Sequence, residues 1–143
     1  MPIPFTSIEK TLNIGPQKGQ KKHFASTYST GEINIEGLTE EIGKISTVSG
    51  ADIRAVLYAL VDVLPRHLSE GQIIRLGELG SFRISISSQG EDSPEKVTAH
   101  SIKKARLLFN PGKHLQEMLQ NIRYVKKAAA NAPRKVKKPV PKS

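Results

Sequence analysis

The sequence predicts a mixed α+β fold. It reads as a β-hairpin, two helices, a strand pair that runs out into an arm, and a closing helix. Three observations carry that prediction. Apolar residues from Ile53 to Leu68 recur at the 3.6-residue spacing of an amphipathic helix. The stretch Gly71–Phe82, GQIIRLGELGSF, ends that segment with a glycine and opens a strand pair. Beyond it, Arg83, Ile84, Ser85, Ile86 and Ser87 alternate as a half-exposed strand does.

Composition bounds what such a fold can do. The 143 residues suffice for one domain with appendages. The apolar fraction is 37% and Trp is absent, which suits a small core or a core shared with a second copy. Without Cys there is no disulfide, thiol nucleophile or thiolate metal site, in keeping with a reducing compartment. The opening MPIPFTSIEK lacks the basic-then-apolar pattern of a secretory signal. No run approaches the roughly 20 apolar residues of a membrane span. A cytoplasmic protein without a membrane partner is expected. The formal charge is +9. From Lys126 to Ser143 there are seven basic residues and no acid, leaving the other 125 residues a net +2.

In chain order, residues 1–33 read as a separate N-terminal extension. Strands over about 3–13 and 21–29 flank the turn-rich, basic GPQKGQKK. A lone hairpin is marginal in water, so it is expected to dock on the body or on another copy. Lys18, Lys21 and Lys22 stand where they can meet phosphate, or simply decorate a solvated loop. Asn34 is a good N-cap for a first helix, with Ile33 and Leu38 as a hydrophobic staple and Leu38, Ile42 and Ile45 as its stripe. It should end near Ser46 or Thr47. Ser49 and Asp52 resemble a capping box for the second helix. Its stripe of Ile53, Val56, Leu57, Leu60, Val61, Leu64 and Leu68 is wide for a small domain. Either a second subunit covers one side or the whole stripe is buried within one chain. Pro65 should kink or loosen the last turn, and Gly71 should stop it.

Gly77 and Gly80 bracket Glu78 and Leu79 in a tight turn, leaving Ile73, Leu76, Leu79 and Phe82 for a core. An arm then runs from Arg83 to Leu108, with a polar tip at SSQGEDSPE. EKVTAHSIK starts its return as strand or as a short helical turn. Asn110 and Pro111 are expected to cap and open the last helix, whose stripe is Leu115, Met118, Leu119 and Ile122. A body over 34–124 would be followed by a disordered basic tail over 125–143.

Catalytic patterns are missing. His23, His67, His100 and His114 are scattered without metal-ligand spacing, and there is no nucleophile elbow or phosphate loop. No enzyme activity, cofactor, metal or small-molecule substrate is expected. Polyphosphate binding has positive signals. Lys126, Lys127, Arg134, Lys135, Lys137 and Lys138 lie on the tail, and Lys103, Lys104 and Arg106 on the returning arm. Arg75 and Arg83 lie on the strands leading outward, and Lys113 opens a helix.

Two helices, then G-x-x-I-x-L-G-x-L-G-S-F over Gly71–Phe82, an arm, F-x-P-G-K-x-L over Phe109–Leu115 and a closing helix resemble the HU/integration-host-factor family of bacterial histone-like DNA-binding proteins. The resemblance covers about residues 34–123. The N-terminal extension, with TGEINIEGL leading into the first helix, looks like the HU-related group of Bacteroides-type bacteria. The resemblance implies an HU-like fold, a homodimer on double-stranded DNA, and a place in the nucleoid, condensing DNA largely without sequence preference. It also implies a Pro near each arm tip that wedges into the minor groove. Pro94 is the matching residue, but its neighbours Glu91, Asp92 and Glu95 are acids where that family is basic. Phosphate would repel them, so Pro94 is not expected to intercalate. The alternative is a dimeric structural or interaction module that has lost DNA bending.

Overall fold

The computed structural model describes residues 1–127. They form a mixed α+β chain of two compact units: Met1–Glu32 together with 121–127, and Ile33–Gln120.

The first unit is a three-stranded sheet. Strands β1 (Ile3–Thr11) and β2 (Lys21–Thr27) pair antiparallel, with Ile8 opposite Phe24 and Lys10 opposite Lys22. Gly15 and Gly19, at φ 91° and 87°, shape the turn between them. The third strand, Tyr124–Lys126, lies on the other side of β1 and runs parallel to it, with Ile3 opposite Tyr124. The Ile3 amide donates to the Arg123 carbonyl at 2.7 Å and the Lys127 amide to the Phe5 carbonyl at 2.8 Å. This corrects the expectation of a structureless tail from residue 125. The central strand of a three-stranded sheet needs a partner on each edge, and Tyr and Val suit that pairing. A partner some 120 residues away leaves no local periodicity to read.

In the second unit, α1 spans Ile35–Ile45 and α2 spans Gly50–Ser69. Asn34 caps α1 by accepting from the Gly37 amide at 2.9 Å. Ser49 caps α2 by accepting from the Asp52 amide at 3.2 Å. Thr39 is buried where Gly43 and Gly50 let the two helices approach. The exposed Arg54–Glu36 pair, at 3.0 Å, adds about 0.2–1 kcal/mol across them. Helix α2 continues through Pro65 to Ser69 rather than loosening there, with Leu68 buried under the last turn. Gly71, at φ 80°, closes it, its amide on the Leu68 carbonyl at 3.0 Å.

Strand β3 (Ile74–Arg75) pairs with β4 (Gly80–Ser88), and β4 pairs with β5 (Ile102–Pro111), all antiparallel. The turn between β3 and β4 is one 3-10 turn, Gly77–Leu79. The closing helix α3 spans Lys113–Gln120. Asn110 and Pro111 therefore end β5 rather than opening the helix, and Ile122 lies beyond it. Pro111 sits opposite Gly80, at the last rung of the ladder, where a missing N–H is tolerated. In chain order the strand Tyr124–Lys126 is β6.

Two glycines lock this corner. A Cβ on Gly112 would overlap the Glu78 carbonyl, and one on Gly80 would strike the Asn110 carbonyl and approach the Phe109 ring at 2.7 Å. Gly80 also has φ 142°, which side-chain-bearing residues rarely adopt. The Gly112 amide donates to Leu79 O at 2.9 Å.

Ile53 and Leu68 are the buried large apolar residues among those described, while Val56, Tyr58 and Val61 of α2 are 66%, 54% and 59% exposed. Gly112→Ala and Gly80→Ala are each expected to destabilise the protein by about 3 kcal/mol or more through overpacking and strain. Gly90→Ala, where a Cβ meets nothing within 4 Å, should leave the thermal midpoint nearly unchanged. Thermal unfolding of the three variants checks this.

Candidate nucleic-acid interface

The β3–β4–β5 sheet sorts its residues by face. Paired residues on neighbouring strands share a face, and successive residues alternate. Ile74, Phe82, Ile84 and Ile86 thus lie with Phe109, Leu107 and Ala105 on one side. Phe82 and Phe109 stack there, with ring centroids 4.9 Å apart. The other side holds Arg75, Ser81, Arg83, Ser85 and Ser87, with Asn110, Leu108, Arg106 and Lys104 opposite. Arg75, Arg83, Lys104 and Arg106 are all exposed.

Electrostatics follow from the sorting. None of the three strands contains an Asp or Glu. Among the described residues, none of the four cations has a carboxylate partner. Cations two residues apart on β5, such as Lys104 and Arg106, are about 7 Å apart by strand geometry. The serines between them add hydroxyl donors without bulk. This surface can neutralise phosphates through charge-assisted hydrogen bonds.

The remaining sequence-predicted residues are distributed as follows. Lys103 is the extra residue where the ladder shifts from Ser87–Lys104 to Ser88–Ile102, so it leaves the regular alternation. Lys113 is the first residue of α3, beside a shallow depression lined by Arg75, Ser81, Asn110, Pro111 and Gly112. Lys126 is in β6 and Lys127 follows it, so both belong to the first unit and not to a free tail. Arg134, Lys135, Lys137 and Lys138 lie outside the described residues. Ser81, Ser85 and Ser87 were not predicted as part of the surface, although the Ser/Ile alternation was their signal.

The arm tip folds on itself. Pro94 starts a 3-10 turn, Pro94–Lys96, and a second spans Ala99–Ser101. Ser101 is 1% exposed. Its hydroxyl donates to Glu91 Oε1 at 2.8 Å and accepts from the Thr98 amide at 3.1 Å. Gln89 Nε2 donates to the same Glu91 oxygen at 2.8 Å. The Gln89 and Ser101 hydrogen bonds hold the Glu91 carboxyl below the usual glutamate range. Asp92 lies 3.9 Å from Lys96. Pro94 is exposed, with Asp92 and Glu95 as exposed neighbours.

Among the described residues no three His, Asp or Glu side chains converge as a metal site, and no helix is long and apolar enough to cross a membrane.

A family model described as HU-HIG, "HU domain fused to wHTH, Ig, or Glycine-rich motif", matches residues 1–127. No curated protein matches. Among solved structures, a "Putative bacterial DNA binding protein" from Bacteroides vulgatus superposes with TM-score 0.55 at 12% identity. The match covers 87% of this chain and 48% of that one, so this chain spans about half its length. Anabaena HU, from a cocrystal with DNA, matches with TM-score 0.48 at 19% identity, covering 62% of this chain and 99% of that one.

Glu91 makes the tip sensitive to acid. Its lowered pKa means that its hydrogen bonds favour the folded tip above the usual glutamate range and are lost as pH falls through the depressed value. The Thr98 amide and Gln89 side-chain amide resonances should therefore hold steady through the usual glutamate range and shift only below it. Ser101→Ala should move that change upward. An NMR titration reads both.

Proposed function

We propose, from the premise that this chain belongs to the HU-HIG family, that it is a non-enzymatic DNA-binding protein of the nucleoid. It holds duplex DNA by the phosphate backbone and largely without regard to sequence. One observation carries the reading: Arg75, Arg83, Lys104 and Arg106 share one acid-free face of the β3–β4–β5 sheet. Arginine and lysine on a strand, interleaved with serine, suit phosphate contact better than base readout. Lys103, Lys113, Lys126 and Lys127 extend the cationic set, as do Arg134, Lys135, Lys137 and Lys138 in the sequence beyond it. The HU domain of the matching family model supports an HU-like arrangement, with β1, β2 and β6 as its extension.

The working form is a homodimer. Val56, Tyr58 and Val61 on α2, with Ile84, Ile86 and Leu107 on the sheet, form more exposed apolar surface than a monomer of this size normally leaves. A second copy covers such surface by symmetry. Pro94 is not a wedge in this reading, because its neighbouring acids oppose entry into the minor groove, where unstacking already costs a few kcal/mol.

The acidic tip also favours a second reading, a dimeric interaction module that has lost DNA bending. Salt-dependent binding to a non-specific duplex separates the two. The chain ending at Lys127 should bind with a clear salt slope, and Arg83→Gln/Lys104→Gln/Arg106→Gln should flatten it by about 2–3 in log K per log salt. Loss of all binding with residues 128–143 would favour the module instead. Sedimentation should show a dimer for the parent chain, and Val61→Asp should shift it toward monomer by at least about tenfold in dissociation constant.

A further inference from the structure

The formal charge is unevenly divided between the two units. Residues 33–120 hold ten Lys and Arg against eleven Asp and Glu, a net −1. Residues 1–32 with 121–127 hold seven Lys and Arg against Glu9 and Glu32, a net +5. The unit that carries the HU-like fold is close to neutral, and the small sheet is the cationic one.

Within that sheet the charge is sorted again. One face of the β1–β2 pair carries Thr11, Glu9 and Ser7 with Lys21, His23 and Ala25 opposite, and Lys21 pairs with Glu9 at 3.5 Å. The other face carries Thr6, Ile8 and Lys10 with Ser26, Phe24 and Lys22 opposite. No acid lies on that face. It is buried at its Pro4 and Thr6 end and open at its Lys10 and Lys22 end. Lys10 Nζ sits 5.8 Å from the centroid of the Phe24 ring, which is 41% exposed. Lys10 and Lys22 face each other directly across the ladder, and among the described residues neither has a carboxylate partner. Like charges in that position destabilise a strand pair. Lys18 lies in the turn at the same end.

We propose that Lys10, Lys22 and Lys18 form a second phosphate-binding surface, separate from the β3–β4–β5 face, that grips the backbone of duplex DNA. Directly opposed residues have Cβ atoms about 5 Å apart, so two ammonium groups can converge on one phosphate or take neighbouring ones. An anion between them turns a destabilising pair into a bridged one. The contact of the Lys10 ammonium with the exposed Phe24 ring holds that charge at the open end of the face. The partner is taken as DNA on the strength of the function proposed above.

The test uses the full chain and a non-specific duplex across salt, with thermal unfolding in parallel. Lys22→Glu sets an acid opposite Lys10. It is expected to raise the melting temperature of the free protein and to flatten the salt slope by at least about 0.9. Lys10→Gln/Lys22→Gln should flatten it by about 1.8, and Lys18→Gln, which lies outside the ladder, by about 0.9. A stabilised Lys22→Glu protein with an unchanged slope overturns the proposal, as does an unchanged slope for Lys18→Gln with the double variant. If those slopes stand while Arg83→Gln/Lys104→Gln/Arg106→Gln lowers its own, this surface alone fails. If the parent protein binds no duplex DNA, or duplex RNA of matched length outcompetes it, both readings fall together.

Discussion

The close approach of two turns is the constraint on which the second unit depends. The Gly77–Leu79 turn and the Pro111–Gly112 corner touch backbone to backbone, and only glycine fits at Gly80 and Gly112. Their contact seats Gly80 opposite Pro111 and starts the β4–β5 ladder. Every later pair follows from that first rung until the bulge beside Ser87. A slip of β5 by one residue would send Lys104 and Arg106 to the apolar side and Leu107 and Phe109 to the cationic one. Two short glycine motifs far apart in sequence thus decide where the charge lies.

In the second unit the β3–β4–β5 sheet keeps its cations and most of its apolar side chains on opposite faces. The carboxylates of that unit lie on its helices and helical turns, at the end of α2 and at the arm tip, and none on the three strands. At the tip, Glu91 is bound by its own neighbours Gln89 and Ser101 and does not reach across the strands. That self-contained tip leaves the sheet face free of acids. The apolar face behind it continues the open stripe of α2 in chemistry, and Val56 and Leu107 are as exposed as many surface residues. The second unit thus joins a near-neutral net charge to one basic face and one uncovered apolar face.

Much of this could be read from the amino acids. Asn34 and Ser49 cap the two helices because a short polar side chain before an apolar period has few other uses. The Ser/Ile alternation after Phe82 described a two-faced strand, and Arg75, Arg83, Lys104 and Arg106 do share a face. Lys103 does not follow the pattern, because a bulge is a pairing event and leaves no mark in one strand alone. Pro111 looked like a helix opener and is instead the end of β5, since the Gly80 contact outweighs a local preference. β6 was invisible for the same reason on a larger scale: three residues acquire strand structure only from β1, which lies at the far end of the chain. Lys126 and Lys127 changed their meaning with it.

The parallel pairing of β1 and β6 has a mechanical consequence. The chain enters the first sheet at Ile3 and leaves it at Lys126, on adjacent strands that point the same way. Tension between the two ends of this segment pulls those strands in opposite directions along their length. The bonds from Ile3 to Arg123 and from Lys127 to Phe5 then share the load in shear and do not open one by one. Residues 33–120 lie inside the stretch of sequence that this pair closes. A pull applied to the two ends of this segment would meet that clasp first.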